Sequence, residues 1–458
     1  MPVPTSVLHV LETNNVAYQV KASTPSQKHI NDSKDRCYVQ SMLLQDSQGT
    51  VQILFPEDAM IDLTEIKAEF GRNLEALPSE ELIGILAAGD LNNIPAIPAW
   101  QNMPTIVDAS LLRFKTLLLD TGVNHEMLEL KIGDFEAMVR TCNVGEFAKL
   151  APQVPTTLHA DKEQIVTSIK TFTELRIRKR LAETLELPPL PETAQRIIKL
   201  RADPEADISD LTGIVELDPS LASQVVSWAS SPFYSAPGKI RSVHDAIIRV
   251  LGFDMVLNLA LGLALGKSIS KQSMNNEQLN DYWYQAVCTA AAVEGLVTSI
   301  PREHRPGFGM AYLSGLLHNF GQLIVAEVFP PYFANIDRHR RANAHLDQAQ
   351  IEQSLIGVSN CQICAWLLKA WNMPDEVVNG VRYQNDPEFN EEHATYAKLI
   401  YLARHLLANQ NPVFGMHKSI DPAIFKHIHL DQETAESAIE KVIRSADDLK
   451  TIAKQMQS

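Results

Sequence analysis

Tyr38-Val39-Gln40-Ser41-Met42-Leu43-Leu44-Gln45-Asp46-Ser47-Gln48-Gly49-Thr50-Val51-Gln52-Ile53-Leu54-Phe55 sets the character of the first third of this 458-residue chain. Two apolar runs joined by a polar turn that contains glycine predict a β-hairpin. Further on, residues 62–70 carry apolar side chains at helical spacing and stop at Gly71, a residue suited to the left-handed position after a helix. Thr105-Ile106-Val107-Asp108 and Glu129-Leu130-Lys131-Ile132 have the composition of further strands. Residues 1–150 thus predict one α+β domain.

Beyond residue 150 the period changes. Asp161 opens a helical pattern through Ile165, Ile169 and Phe172 toward Leu181, and Pro188-Pro189-Leu190-Pro191 breaks it. This predicts a linker helix within 151–184 and an all-α domain over 185–458. In that domain Asp218-Pro219 is an N-cap followed by proline at the first helical position. Ser242-Val243-His244-Asp245 is a capping-box-like start, and Gly252 closes that helix before Asp254 opens the next. The apolar run 256–265 is shorter than the ~18 residues a membrane span needs, so it predicts a buried core helix. Four Trp (228, 283, 366 and 371) fall at helical positions and read as packing. The fold class is multidomain, α+β followed by all-α.

Hydrophobic residues are 45% and charged residues 21%, as in ordinary globular chains, and the net charge is −15. Residues 1–150 hold 11 Lys/Arg against 20 Asp/Glu, a balance of −9. Such acidity repels phosphate backbones and anionic lipid unless a local basic patch offsets it, which counts against non-specific nucleic-acid binding and membrane docking. The strongest basic run, Arg176, Arg178, Lys179 and Arg180, reads as a solvated face of the linker helix. Five scattered cysteines form no disulfide framework and suit a reducing compartment. Cys361 and Cys364 lie on an apolar helical stretch and read as core. The first twenty residues show no signal peptide, so the expected location is the cytoplasm.

Several motifs occur in order: Leu187-Pro188-Pro189-Leu190-Pro191-Glu192-Thr193-Ala194, Glu216-Leu217-Asp218-Pro219-Ser220-Leu221, Ala246-Ile247-Ile248-Arg249-Val250-Leu251-Gly252, Gly315-Leu316-Leu317-His318-Asn319-Phe320-Gly321 and Trp371-Asn372-Met373-Pro374. Together they closely resemble the HDOD domain, the HD-related output domain of bacterial signalling proteins, over roughly 185–390. Related HD phosphohydrolases hold metal ions with an early His, a His-Asp pair and further His or Asp ligands. The resemblance sets His318-Asn319 at the pair, Gln285 at the upstream His, and Asn360 at a downstream one. Three neutral amides replace ligands that must offset metal charge. His318 alone remains, so no metal is expected, and this histidine reads as a hydrogen-bonded core residue. His339, His345, His427 and His429 lie in polar, surface-like stretches.

Val39-Gln40-Ser41-Met42-Leu43-Leu44-Gln45-Asp46, Asn92-Asn93-Ile94-Pro95-Ala96-Ile97-Pro98 and Val107-Asp108-Ala109-Ser110-Leu111 resemble the YbaK-like, prolyl-tRNA-synthetase-associated editing domain, which hydrolyses mischarged aminoacyl-tRNA. In that family a lysine begins the strand. Gln40 stands there, able to donate a hydrogen bond but without charge, with Lys34 and Arg36 upstream as possible substitutes. Gln40, Pro95 and Asp108 are candidate lining of a small-ligand groove, although Asp108 could simply cap the turn at Ala109. Phe233 and Tyr234, in a loop between prolines, are candidates for docking a partner.

The combined reading is a cytoplasmic bacterial signalling protein, a pseudoenzyme without cofactor, whose editing-type domain senses a ligand or partner and whose HDOD domain acts through protein contacts. The alternative is an aminoacyl-tRNA deacylase acting through the N-terminal domain. The −9 balance works against tRNA as a partner.

Overall fold

The computed structural model describes residues 3–22, 35–123, 126–152, 161–168, 190–234, 238–267, 274–415 and 419–455. Lys34 and the basic run 176–180 lie outside the described residues, as does the linker beyond residue 168.

α1 (Thr5–Thr13) precedes β1 (Gln19–Ala22), and the quoted hairpin forms as β2 (Arg36–Asp46) and β3 (Gly49–Pro56). The two pair antiparallel from Val39 opposite Pro56 to Asp46 opposite Gly49. β4 (Ala59–Ile61), α2 (Leu63–Phe70), β5 (Glu75–Ala76) and α3 (Ser79–Gly89) come next, then β6 (Thr105–Asp108), β7 (Thr116–Asp120), β8 (Glu126–Lys131), α4 (Ile132–Val139), β9 (Asn143–Gly145) and β10 (Ala148–Leu150). Asp62 caps α2 by accepting from the amides of Thr64 and Glu65, and Gly71 ends it at φ 68°. The main sheet runs β1-β8-β7-β2-β3-β6-β9, with β5 beside β2; β4 pairs β10 separately. Strand alternation divides the hairpin between two cores. Cys37, Val39 and Leu43 join Leu54, Trp100, Val107 and Leu119 on one face. Met42 and Leu44 join Ile53, Phe55, Ile106 and Phe147 on the other.

The chain forms two compact units, and the first combines residues 1–153 with 334–355 and 415–421. Within this unit the arm 334–355 adds Ala342 to the second sheet core. The Ile61 N–H donates to Asn343 Oδ1 at 2.6 Å, and Asn343 Nδ2 donates back to the Ile61 carbonyl at 3.1 Å. Arg338 Nη2 donates to the Leu74 carbonyl at 2.7 Å. His345 sets its ring edge-on to Phe55, centroids 4.8 Å apart, with Nε2 2.9 Å from the Ala59 carbonyl. His339 is buried against the Asn335 carbonyl. The surface positions expected for His339 and His345 are thus corrected: both face inward because their helical segment folds onto the sheet.

The second unit is helical. α5 (161–168) is followed by α6 (Glu192–Arg201), α7 (Ile208–Glu216), α8 (Pro219–Ala229), α9 (Val243–Ala246), α10 (Phe253–Lys267) and α11 (Asn276–Ser299). Then come α12 (Phe308–Leu317), α13 (Phe320–Val328), α14 (Pro330–Ala342), α15 (Gln348–Ile356), α16 (Asn360–Ala370), α17 (Asp375–Arg382) and α18 (Ala394–Gln410), closed by α19 (Pro422–His427), α20 (Gln432–Arg444) and α21 (Ala446–Gln455). Most of α14 and α15 belongs to the arm of the first unit. Asp218 caps α8 with Pro219 at its start, and Ser242 caps α9. Gly252 ends a π-helical turn at φ 78°. The run 256–265 lies buried in α10. Gly315 lets α12 approach α11 closely, since a Cβ there would stand 3.0 Å from Ala290 Cα. Among the described residues no helix is long and apolar enough to cross a membrane.

Candidate functional site

α12 ends at Leu317 and α13 begins at Phe320, which leaves His318 and Asn319 at the bend between them. His318 is buried, with Nδ1 2.8 Å from the Gly315 carbonyl. Burial, then the positive charge of Arg404, pushes its pKa down to about 3, so the imidazole is neutral at physiological pH. Asn319 donates through Nδ2 to the Tyr282 carbonyl on α11 at 3.0 Å. Gln285, half-buried, stands one turn further along α11. Asn360 opens α16, buried, with its backbone carbonyl packed on Gly321. Gln384 closes the group: its Nε2 donates to the carbonyls of His318 (2.7 Å) and Val381 (3.0 Å) and touches Cys361 Sγ.

His318, Asn319, Asn360 and Gln384 therefore come together, and the junction is held by amides that clamp backbone carbonyls. The donor set does not fit a catalytic divalent ion. Amide oxygens bring no charge to offset a metal, and one imidazole has a ring nitrogen engaged with a carbonyl. Among the described residues no three His, Cys, Asp or Glu side chains converge on one point. Cys361 and Cys364 are buried, and burial pushes the Cys364 thiol well above its ordinary value.

Beside this junction lies an ion pair that the sequence did not reveal. Asp161 of α5 accepts from Arg382 Nε at 2.5 Å and Nη2 at 2.8 Å, with both side chains almost wholly buried. Gln362 Nε2 donates to the same carboxylate at 2.7 Å. Asp161 thus holds the start of the linker helix to α16 and α17.

Phe233 and Tyr234 are half-buried and meet edge to face at 4.9 Å. Tyr234 turns its hydroxyl inward, donating to Glu294 Oε2 at 3.1 Å and accepting from Trp228 Nε1 at 3.1 Å. Burial raises the Glu294 pKa to about 7.

In the first unit Gln40 lies opposite Phe55, and the pairing of Leu54 with Val107 brings Asp108 beside Phe55. Gln40 and Asp108 therefore share the sheet face that carries Met42 and Ile106. Pro95 belongs to the opposite face, where its carbonyl accepts from the buried Gln52, which also holds Ser41. The three candidate lining residues are not brought to one pocket. The Asp108 carboxylate is occupied: it caps the turn through Ser110 and accepts from the amides of Phe147 (2.9 Å) and Ala148 (2.7 Å). A cleft of about 540 Å³ lies elsewhere, at the hairpin turn, lined by Asp46, Gln48, Asn73 and Glu75.

Residues 187–387 match the HDOD domain, and residues 19–138 match the aminoacyl-tRNA editing domain. The crystal structure of a candidate signal transduction protein from Marinobacter aquaeolei VT8 is 38% identical over the whole of both chains, with a TM-score of 0.84. An HDOD domain protein of unknown function from Geobacter sulfurreducens, 20% identical over 64% of this chain and 99% of its own, has a TM-score of 0.50 and shares the fold. An uncharacterized curated relative from Treponema pallidum is 22% identical over 209 residues, which cover 45% of this chain and 39% of the relative.

Proposed function

Because the chain belongs to the HDOD-domain proteins, with an aminoacyl-tRNA editing domain ahead of the HDOD domain, we propose that it is a non-catalytic signalling protein of the bacterial cytoplasm. In this reading the editing-type domain senses a ligand or partner, and the helical unit passes the state on by protein contact. The observation that carries it is the junction held by the amides of Asn319 and Gln384 beside the buried Asn360, since the positions that the HD resemblance gives to Asn319 and Asn360 would need carboxylates or imidazoles for phosphoester hydrolysis. Two further features support it. Gln40 brings no positive charge to an ester carbonyl, and the neighbouring Asp108 is committed to backbone amides. Phe233, next to the anchored Tyr234, is the residue assigned to partner docking in this reading, with Tyr234 fixing the loop.

Purified full-length protein tests this directly. With mischarged tRNA as substrate, and with phosphomonoesters and phosphodiesters in the presence of manganese or iron, no turnover above background is expected. Deacylation that disappears in Gln40→Ala, or metal-dependent hydrolysis that disappears in His318→Ala, would refute the reading.

A further inference from the structure

Arg404 lies in α18 among buried Leu402, Ala403, His405 and Leu406 and is itself half-buried. Its Nη1 donates to Gln384 Oε1 at 3.2 Å and to Asn385 Oδ1, both neutral amides. No carboxylate forms an ion pair with it among the described residues. The contrast with Arg382 in the same unit is direct, since that buried guanidinium is matched by the Asp161 carboxylate. A guanidinium keeps its proton, so this half-buried one carries its positive charge with only amide oxygens against it.

The orientation of Arg404 is also fixed from behind. Gln384 is locked by its own bonds to the His318 and Val381 carbonyls, and Asn385 reaches back toward Cys361 Sγ. Both amide oxygens therefore stay aimed at Nη1, and among the described residues no acceptor meets Nε or Nη2. That free edge is the half of the guanidinium fork that matches the two oxygens of a carboxylate or phosphoryl group. The charge is felt across the junction, where it helps to keep His318 neutral.

We infer that the Nε–Nη2 edge of Arg404, held by Gln384 and Asn385, is the seat of a small oxyanion-bearing ligand in the helical unit. The shared chemistry is two oxygens of one anionic group, supplied by either a phosphoryl or a carboxylate compound. The inference is independent of the proposed function, because a catalytic protein could carry the same seat; deacylation would sink that reading and leave this one standing.

Calorimetric titration of the full chain at constant ionic strength, once with inorganic phosphate and once with acetate, tests it. Saturable binding of at least one anion at one site per chain is expected, and the tighter of the two identifies the source. Arg404→Gln should abolish that binding. Arg404→Lys, which keeps the charge and loses the fork, should weaken it at least tenfold. Should Arg404→Gln fail to fold, Asn385→Ala serves instead: it releases one side of the guanidinium and should weaken binding several-fold. Saturation by neither anion, or equal binding by wild type and the variants (an adventitious ion only), would overturn the inference.

Discussion

Burial in the helical unit moves His318 down to about 3 and Glu294 up to about 7, and the two act on stability with opposite sign. The unfolded imidazole takes up a proton near its ordinary value of 6.5 while the folded one stays neutral, so stability is lost as pH falls from about 6.5 toward 3. The unfolded Glu294 carboxyl ionises near 4.5 while the folded one remains protonated to about 7, so stability is lost as pH rises through that window. Each slope is worth at most about 1.4 kcal/mol per pH unit, and between about 4.5 and 6.5 the two oppose each other. His318→Gln should tilt this stretch of the stability profile downward with rising pH, and Glu294→Gln upward, as read from urea midpoints at half-unit steps. Asp161→Ala should cost about 3–5 kcal/mol by stranding the Arg382 charge, whereas Asp161→Leu with Arg382→Met should cost far less. The amide beside His318 was legible because it is adjacent in sequence. Arg404 was not, because nothing local in 401–408 marks that its arginine meets amide oxygens in place of a carboxylate.

Helix ends and strand pairs followed local chemistry wherever both partners lie within a few residues. Asp62 with Gly71, Asp218 with Pro219, and the hairpin register all do. The arm 334–355 did not. His339-Arg340-Arg341 has the composition of a solvated helix, yet Asn343 meets Ile61 across a separation of 282 residues. Spacing rules carry no information over that distance. Asn343→Ala should strand both backbone groups of Ile61 and cost about 1–3 kcal/mol per buried group left unpaired. Hydrogen exchange should then show faster exchange at the Ile61 amide. Val413→Ala, at an exposed site, should stay within about 0.5 kcal/mol of wild type.

The change from α+β to helix near residue 150 is a property of hydrophobic period and was open to reading from the chain alone. The membership of 334–355 and 415–421 in the first unit is a property of contacts and was not. Gln40, Pro95 and Asp108 lie in motifs that resemble one family, but alternation along strands separates Pro95 from the other two. A fragment limited to residues 1–153 should bind a hydrophobic dye and unfold at lower urea than the same unit in the full chain, because the sheet face that buries Ala342 is bared. A synthetic peptide of residues 334–355 should reverse both effects. The same arrangement constrains how the protein is made. A ribosome releases the sheet early and its cover about two hundred residues later. At ~5–20 residues per second the nascent sheet waits roughly 10–40 s with Phe55 and Ile61 uncovered, an interval in which a chaperone would find its client.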